Sequence, residues 1–352
     1  MAGQIEKVAD RAGVSIATVS RVFTENGYVS EETKKRVQEA AKQIGYSPPR
    51  HGARRSRSTI YNAVIGVVVC DLYNPFFTQI IRGITHVLEP EGVEVLICDA
   101  DESPRKEIRC LDMLRQKKVD GIIISPTSDT EEFNIEYLKN LDQEGMPMVF
   151  VDRDLKGVGL DGVFLDSFNG AMEALQALID CGHKNIATIA GPITSKPGLD
   201  RLSSYMEVMK RNHLSIRQEY ILYGDFKIDS AYTLTMTLLE RHPEVTAIFA
   251  GNNFMALGAM KAIAQRGLRI PLDISLISFG SVYLAEGYDY GISEVRQPTF
   301  SMGVECANIL LEKMKNASLP RKERRTVKKR ITLDTELVLR GSEIYPANKM
   351  NA

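Results

Sequence analysis

Nothing in this 352-residue chain is long and apolar enough to cross a bilayer. The longest apolar runs, such as Ala63-Val64-Ile65-Gly66-Val67-Val68-Val69-Cys70, have the length of buried strands. The start of the chain carries charged residues and no apolar leader core, so a cytoplasmic protein without membrane contact is expected. Cysteine is sparse and scattered: Cys70, Cys98, Cys110, Cys181 and Cys306 form no Cys-x-x-Cys pair and have no histidine at metal-ligand spacing. They read as reduced, mostly buried thiols, and neither a metal nor a cofactor is expected.

Signatures of common enzyme chemistry are missing as well. No Gly-x-Gly-x-x-Gly opens a helix, and no Gly-x-Ser-x-Gly elbow is present. The segment from Gly191 to Gly198 resembles a phosphate loop only loosely, with proline on both flanks and Lys196 misplaced. His183 lies in a turn leading into a strand, where packing is a commoner role than catalysis.

The most informative run that is present extends from Val8 to Val22 and reads as two short helices broken at Gly13. Val8, Ala9, Ala12, Val14, Val19 and Val22 fall where two helices across a tight turn must touch, and Gly13 permits the positive φ of a sharp helix end. Ser15 is placed to cap the second helix, which leaves Ile16, Ala17, Ser20 and Arg21 on its outer face. A third helix is signalled by Ser30 as cap, Glu31 and Glu32 in the first turn, and Val37, Ala40, Ala41 and Ile44 at helical spacing. Residues 1–62 hold eleven Lys and Arg against six Asp and Glu, a net +5, whereas the whole chain is −1 and the remainder therefore −6. A basic headpiece on an acidic body points to nucleic acid.

From residue 63 onward, short apolar runs alternate with segments of helical periodicity. Val64–Val69, Val93–Cys98, Ile122–Ser125, Met148–Val151, Ile186–Ala190, Ala247–Ala250 and Leu276–Phe279 read as buried strands. This is the β-α-β-α pattern of parallel sheets covered on both faces, and an Asp- and Gly-rich break near residues 152–168 suggests two such units in tandem. A ligand would sit between them at the carboxyl ends of the strands. Polar and aromatic residues gather at those ends, among them Asp71, Phe76, Phe77, Ser128, Asp152, Arg153, Lys196, Arg201, Asn252 and Gln297.

Taken together, these features resemble the LacI/GalR family of bacterial transcription repressors over nearly the whole chain. The headpiece text, with Asn26-Gly27-Tyr28-Val29-Ser30 and Ile44-Gly45-Tyr46-Ser47-Pro48, carries the likeness, as do Asn74-Pro75-Phe76-Phe77, Lys118-Val119-Asp120-Gly121, Gly182-His183-Lys184 and Val295-Arg296-Gln297-Pro298. The resemblance implies an α/β fold with a helix-turn-helix headpiece (1–48), a basic hinge (49–62) and a body (63–345) like a periplasmic sugar-binding protein. The body would comprise two doubly wound parallel-sheet subdomains, 63–162 plus 297–325 and 163–296 plus 326–345. It also implies a homodimer on a palindromic double-stranded DNA operator, with a small-molecule effector in the cleft. Ile16 and Ala17 would meet base edges and Arg21 a guanine, while Ser15, Thr18, Ser20, Tyr28 and Thr33 would bond phosphates. The effector would touch Asp71, Phe76, Phe77, Ser128, Arg153, Lys196, Arg201, Asn252 and Gln297.

Two departures from the family pattern stand out. The hinge text Gly52-Ala53-Arg54-Arg55-Ser56-Arg57-Ser58 lacks the leucine that kinks the operator centre, so either Arg54 and Arg55 enter the minor groove or the segment is a basic tether. In the pocket, Gly280-Ser281 follows Phe279 where the family commonly has an Asp for sugar hydroxyls. Loss of that anion beside Arg153, Arg201 and Lys196 tilts the expectation toward a sugar acid or sugar phosphate. Leucine heptads are missing after Arg340, so a dimer rather than a tetramer is expected, and the basic run 321–330 reads as a solvated linker before a last strand, Ile331 to Leu339, or as a second partner site. The remaining alternative is a sugar kinase or dehydrogenase with an accessory nucleic-acid-binding domain, because parallel sheets host many enzymes.

Overall fold

Gly13 adopts φ +62° and ends the first helix, as the sequence demands, in a computed structural model that describes residues 3–24, 29–44, 62–282, 291–317 and 328–345. The chain divides into two units, Met1–Thr59 and Ile60–Ala352. The first unit holds α1 (Gly3–Ala12), α2 (Ile16–Thr24) and α3 (Glu31–Ile44). Val14 N–H donates to the Ala9 carbonyl at 3.0 Å and Gly13 N–H to Asp10 at 3.2 Å, which satisfies the last carbonyls of α1. The Arg36 guanidinium adds a bond to the Ala12 carbonyl from α3. The hydroxyl of Ser15 accepts from Thr18 N–H at 3.1 Å, and Ser30 does the same for Thr33 at 3.3 Å, so both later helices start on a serine cap. Val8, Ala9, Ala12, Val19, Val22, Val37, Ala40 and Ala41 form the small core.

The second unit begins with β1 (Val64–Val69), α4 (Pro75–Leu88), β2 (Glu94–Asp99), α5 (Pro104–Lys117), β3 (Gly121–Ile124), α6 (Glu132–Gln143), β4 (Met148–Asp152) and β5 (Asp161–Leu165). Then come α7 (Ser167–Asp180), β6 (Ile186–Ala190), α8 (Lys196–Arg211), β7 (Ile221–Tyr223), α9 (Ile228–Arg241), β8 (Ala247–Ala250), α10 (Asn253–Gln265), β9 (Ser275–Phe279) and β10 (Ser293–Arg296). The unit closes with α11 (Thr299–Ala317), β11 (Arg330–Leu333) and β12 (Glu336–Val338). Among the described residues these strands make two sheets, ordered β11-β5-β4-β3-β1-β2 and β12-β10-β9-β8-β6-β7, parallel throughout except for β12 against β10. Both faces are covered, which is why the inner strands are apolar at nearly every position. In β1, Ile65, Val67 and Val69 enter the core beneath α4 and α11, whereas Val68 enters the core beneath α5 and α6. Helices α4 and α11 cross at two glycines: a Cβ on Gly83 would lie 2.1 Å from Phe300 O, and one on Gly303 2.0 Å from Ile80 O.

Three corrections to the sequence reading follow from this topology. The Asp- and Gly-rich break contains a strand, β5, so the expected boundary at 162/163 cuts through it; the first crossing between sheets lies just after Leu165. The last strand, expected over Ile331 to Leu339, is two strands. β11 returns to the first sheet beside β5 and β12 passes to the second, so the assignment of 326–345 to one subdomain does not hold. Strands β7 and β10 are additions to the expected set. The hinge up to residue 61 and most of the basic run lie outside the described residues. The end of that run is bound to the first subdomain, with Lys328 donating to the Gly159 carbonyl and Arg330 paired with Asp154. No described helix is long and apolar enough to cross a membrane.

Candidate functional site

On the headpiece, burial of Val19 and Val22 turns the opposite side of α2 outward. Ile16 is 45% exposed, and Ala17 and Arg21 stand exposed with it, forming an apolar and basic face at the start of the second helix. Ser15 and Thr18 hydroxyls lie 2.9 Å apart, and Ser30 and Thr33 repeat the pairing at 2.8 Å. Their oxygens are thus partly spent on capping, which fixes the helix N-termini whose free N–H groups favour anions. The Ser20 side chain, Tyr28, Arg54 and Arg55 lie outside the described residues.

In the body, the strand ends of both sheets meet in one cleft of about 450 Å³, its mouth included. From the first sheet come Asp71, Asn74, Phe76 and Phe77 after β1, Glu102 after β2, and Asp152 and Arg153 at the end of β4. The second sheet contributes Pro197 and Arg201 on α8, Phe226 after β7, Asn252 and Asn253 at the start of α10, and Phe279 closing β9, while Gln297 lies on a crossing segment.

Charge within the cleft is largely matched from inside the protein. Arg153 donates from Nη2 to Glu102 Oε1 at 2.6 Å and from Nη1 to Glu102 Oε2 at 2.8 Å, a two-pronged pair in which the arginine side chain is only 5% exposed. Its Nη1 also reaches the Thr127 carbonyl at 3.1 Å. Arg201 lies over the Phe279 ring at 3.7 Å and donates from Nη1 to the Gly251 carbonyl at 2.6 Å. Burial lowers its pKa to about 10, against the pull of Asp152. Asp152 holds φ +64°, and the N–H of Arg153 closes back on the Val151 carbonyl at 2.7 Å, a tight three-residue turn of the strained hand. Burial pushes the Asp152 carboxyl above its usual range, partly opposed by Arg153 and Arg201. Asp152 Oδ1, Arg153 Nε and Arg201 Nε are buried without a hydrogen-bond partner. An acceptor beside N–H donors in a lined cleft fits hydroxyl groups, which both donate and accept.

The two sides of the cleft also touch directly. Lys227 bonds Asp71 at 3.2 Å and Asp101 at 2.9 Å, Arg153 lies 5.4 Å from the Phe226 ring centre, and Asp129 N–H donates to the Thr194 carbonyl at 2.9 Å.

Of the expected effector residues, Asp71, Phe76, Phe77, Arg153, Arg201, Asn252 and Gln297 line this cleft, and Ser128 and Lys196 do not. Ser128 folds back on Thr130, and Lys196 is exposed on the first turn of α8, paired with Asp200. Asn252 is a positioning residue in this structure: its Oδ1 caps α10 at Met255 N–H, and its Nδ2 holds the Phe226 carbonyl. Glu102 and Phe226 escaped the sequence reading. The strand-end rule reaches both, but β7 is only three residues long and Asp101-Glu102 looks like an ordinary polar loop. Among the described residues no cluster of three or more His, Cys, Asp or Glu could hold a metal ion.

Residues 62–326 match the family described as periplasmic binding proteins and sugar binding domain of the LacI family, and residues 4–49 match bacterial regulatory proteins of the lacI family. The chain is 33% identical over 314 residues to the HTH-type transcriptional repressor PurR of Klebsiella pneumoniae strain 342, covering 89% of this chain and 90% of that one. Among solved structures it is similar to the transcriptional regulator CelR in complex with cellobiose, at TM-score 0.69 and 30% identity over 96% of this chain and 99% of that one. It is likewise similar to the lac repressor dimer bound to operator and the anti-inducer ONPF, at TM-score 0.74 and 25% identity over 96% and 98%. These relatives are named as regulators and repressors, which displaces the kinase or dehydrogenase alternative.

Proposed function

The chain belongs to the LacI family of bacterial regulatory proteins, and from that premise we propose an operator-binding repressor dimer whose DNA affinity is set by a neutral, polyhydroxyl, sugar-like effector in the body cleft. The observation that carries the effector reading is the trio of buried atoms without a hydrogen bond, Asp152 Oδ1, Arg153 Nε and Arg201 Nε, the second of them 3.9 Å from Asp152 Oδ2. Leaving such groups unpaired is costly, and a ligand rich in hydroxyls satisfies all three. A sugar acid or sugar phosphate, which the two arginines suggest when counted alone, is the weaker fit. Asp71, Glu102 and Asp152 outnumber Arg153 and Arg201 among the lining residues, and Lys196 lies elsewhere.

On DNA, Ile16 and Ala17 meet thymine methyls and Arg21 pairs with a guanine, while Ser15, Thr18, Ser20, Tyr28 and Thr33 set register on phosphates. Arg54 and Arg55 add minor-groove contacts, and two-fold symmetry of the dimer demands a palindromic site. The effector acts only through its different affinity for the closed and open body, and the same coupling makes operator change effector affinity.

Selection of duplexes from a random pool with the full chain, with and without a panel of neutral sugars and their acids, tests this reading. A palindrome whose recovery changes with a neutral sugar is the expected result. Absence of any enriched palindrome overturns the DNA assignment, and a response confined to acids overturns the effector assignment.

A further inference from the structure

We propose that Glu102 decides the charge class of the effector: by occupying both terminal nitrogens of Arg153 it closes the cleft to carboxylates and phosphates and reserves it for neutral ligands. This rests on the cleft being the effector site. A carboxylate or phosphate is held best by an arginine fork, two parallel N–H donors in one plane. Here the end-on fork of Arg153 is filled by Glu102 at 2.6 and 2.8 Å, which also matches its charge. Arg201 is held by the protein as well, with Nη1 on the Gly251 carbonyl, Nη2 near Ser167 Oγ at 3.4 Å and its plane on Phe279. The Nε–H of each arginine has no hydrogen-bond partner, and Arg153 keeps one Nη2–H besides it, so what Glu102 removes is the end-on fork and the uncompensated charge of Arg153 rather than every donor.

The loop that presents Glu102 is held in an unusual shape. Asp101 and Glu102 are consecutive non-glycine residues with positive φ, +47° and +53°. Such a pair persists only where surrounding contacts enforce it. Glu102 N–H donates to the Cys70 carbonyl at 2.6 Å and Asp101 N–H to Asp99 Oδ1 at 3.0 Å. Lys106 grips the Asp101 carboxylate at 2.7 Å, and Lys227 reaches it from the other subdomain at 2.9 Å. The carboxylate of Glu102 is therefore delivered to Arg153 by a loop held from several sides, and an anionic ligand cannot take the end-on fork, or add its charge beside Arg153, without leaving Glu102 uncompensated.

Glu102→Ala opens the fork, and acetate, which has the same head group as the missing side chain, is the probe. Thermal melts of the full chain in increasing sodium acetate, against acetamide and sodium chloride at matched ionic strength, read the outcome. The variant is expected to gain about 2–4 °C at 100 mM acetate, saturably, while wild type gains nothing beyond the salt control. Adding Arg153→Met to the variant is expected to abolish the gain. Equal responses of wild type and variant, or a response that survives Arg153→Met, overturn the proposal. Should Glu102→Ala fail to fold, Glu102→Gln decides: its amide cannot neutralise Arg153, so acetate stabilises it above the wild-type baseline, and no difference overturns the proposal. Calorimetry of wild type with D-glucose and D-glucuronate, D-galactose and D-galacturonate, and D-ribose and D-ribonate keeps the two readings apart. Preference of wild type for an acid sinks the neutral-effector assignment, whereas failure of the acetate arm sinks only the role of Glu102.

Discussion

Asn74 and Asn253 exchange amide hydrogen bonds across the cleft, Nδ2 to Oδ1 at 3.1 Å in one direction and 3.0 Å in the other. Asn74 is the cap of α4, accepting from Phe76 N–H at 3.0 Å, and Asn253 is the first residue of α10. The pair thus joins the N-termini of two helices, one from each subdomain. With both amides buried, separating them leaves polar groups to be resolvated before the cleft can open.

Asn253→Ala is therefore expected to favour the open body without unfolding it, since the cap of α4 and the capping residue Asn252 both remain. Two amide hydrogen bonds at about 0.5–1.5 kcal/mol each translate into roughly a tenfold loss of effector affinity. Calorimetry gives that loss, and small-angle scattering of the unliganded protein should show a larger radius than wild type. An unchanged radius with unchanged affinity removes the pair from closure.

Asp152→Asn separates stability from binding. Burial raises the Asp152 carboxyl pKa, so its charge opposes folding at neutral pH, while its Oδ1, without a hydrogen bond in the protein, is the atom the proposed effector would use. A carboxyl with a raised folded pKa costs nothing below its unfolded pKa. The cost grows as pH rises toward the folded value and is constant above it. The Asn variant is expected to melt at least about 2 °C higher than wild type at pH 7, with the gap closing as pH falls through the raised pKa toward about 4. Its effector binding should be weaker at every pH above that range. A gap that widens on acidification contradicts the assignment.

How much of this was legible in the sequence depended on whether partners are near in the chain. The inner strands could be read because burial on both faces leaves them apolar in any context. β5 could not, because it opens with Asp161, whose carboxylate is taken by Lys313 and by the N–H of Lys329, more than 150 residues away. The helix caps Ser15 and Ser30 act within three residues and were readable. In the cleft, the strand-end rule reaches Asp152 and Arg153, but not the ion pair that Arg153 makes, because its partner lies 51 residues earlier, in a loop with two consecutive positive φ values.

Arg21→Ala tests the DNA-reading face. Arg21 is exposed and takes no part in the headpiece core, so its loss leaves folding intact. Removing one base contact is worth about 1–3 kcal/mol, or roughly 5- to 150-fold in affinity for the selected operator, with a smaller change on scrambled duplex at the same salt. Anisotropy titrations on both duplexes measure this. An equal fall on both would make Arg21 a phosphate contact.

Gly280 explains why no carboxylate stands where the family commonly has one. Its φ is +97°, and a Cβ built there would lie 2.8 Å from Gln297 Oε1, so the Gln297 amide occupies the side of the cleft that a side chain at 280 would need. The backbone there is fixed from two sides, with Gly280 N–H on the Val295 carbonyl at 2.8 Å and Ser278 Oγ donating to the Gly280 carbonyl at 2.7 Å. Gly280→Asp is accordingly expected to lose effector affinity about tenfold or more, because it strains the backbone and drives Gln297 out of the cleft. A double-mutant cycle with Gln297→Ala separates the two effects. If steric conflict dominates, Gly280→Asp costs much less in the Gln297→Ala background, a coupling of about 1 kcal/mol or more. Additive losses would assign the whole effect to the backbone, and a gain of affinity on Gly280→Asp alone would mean that the position still accepts the acid it lacks.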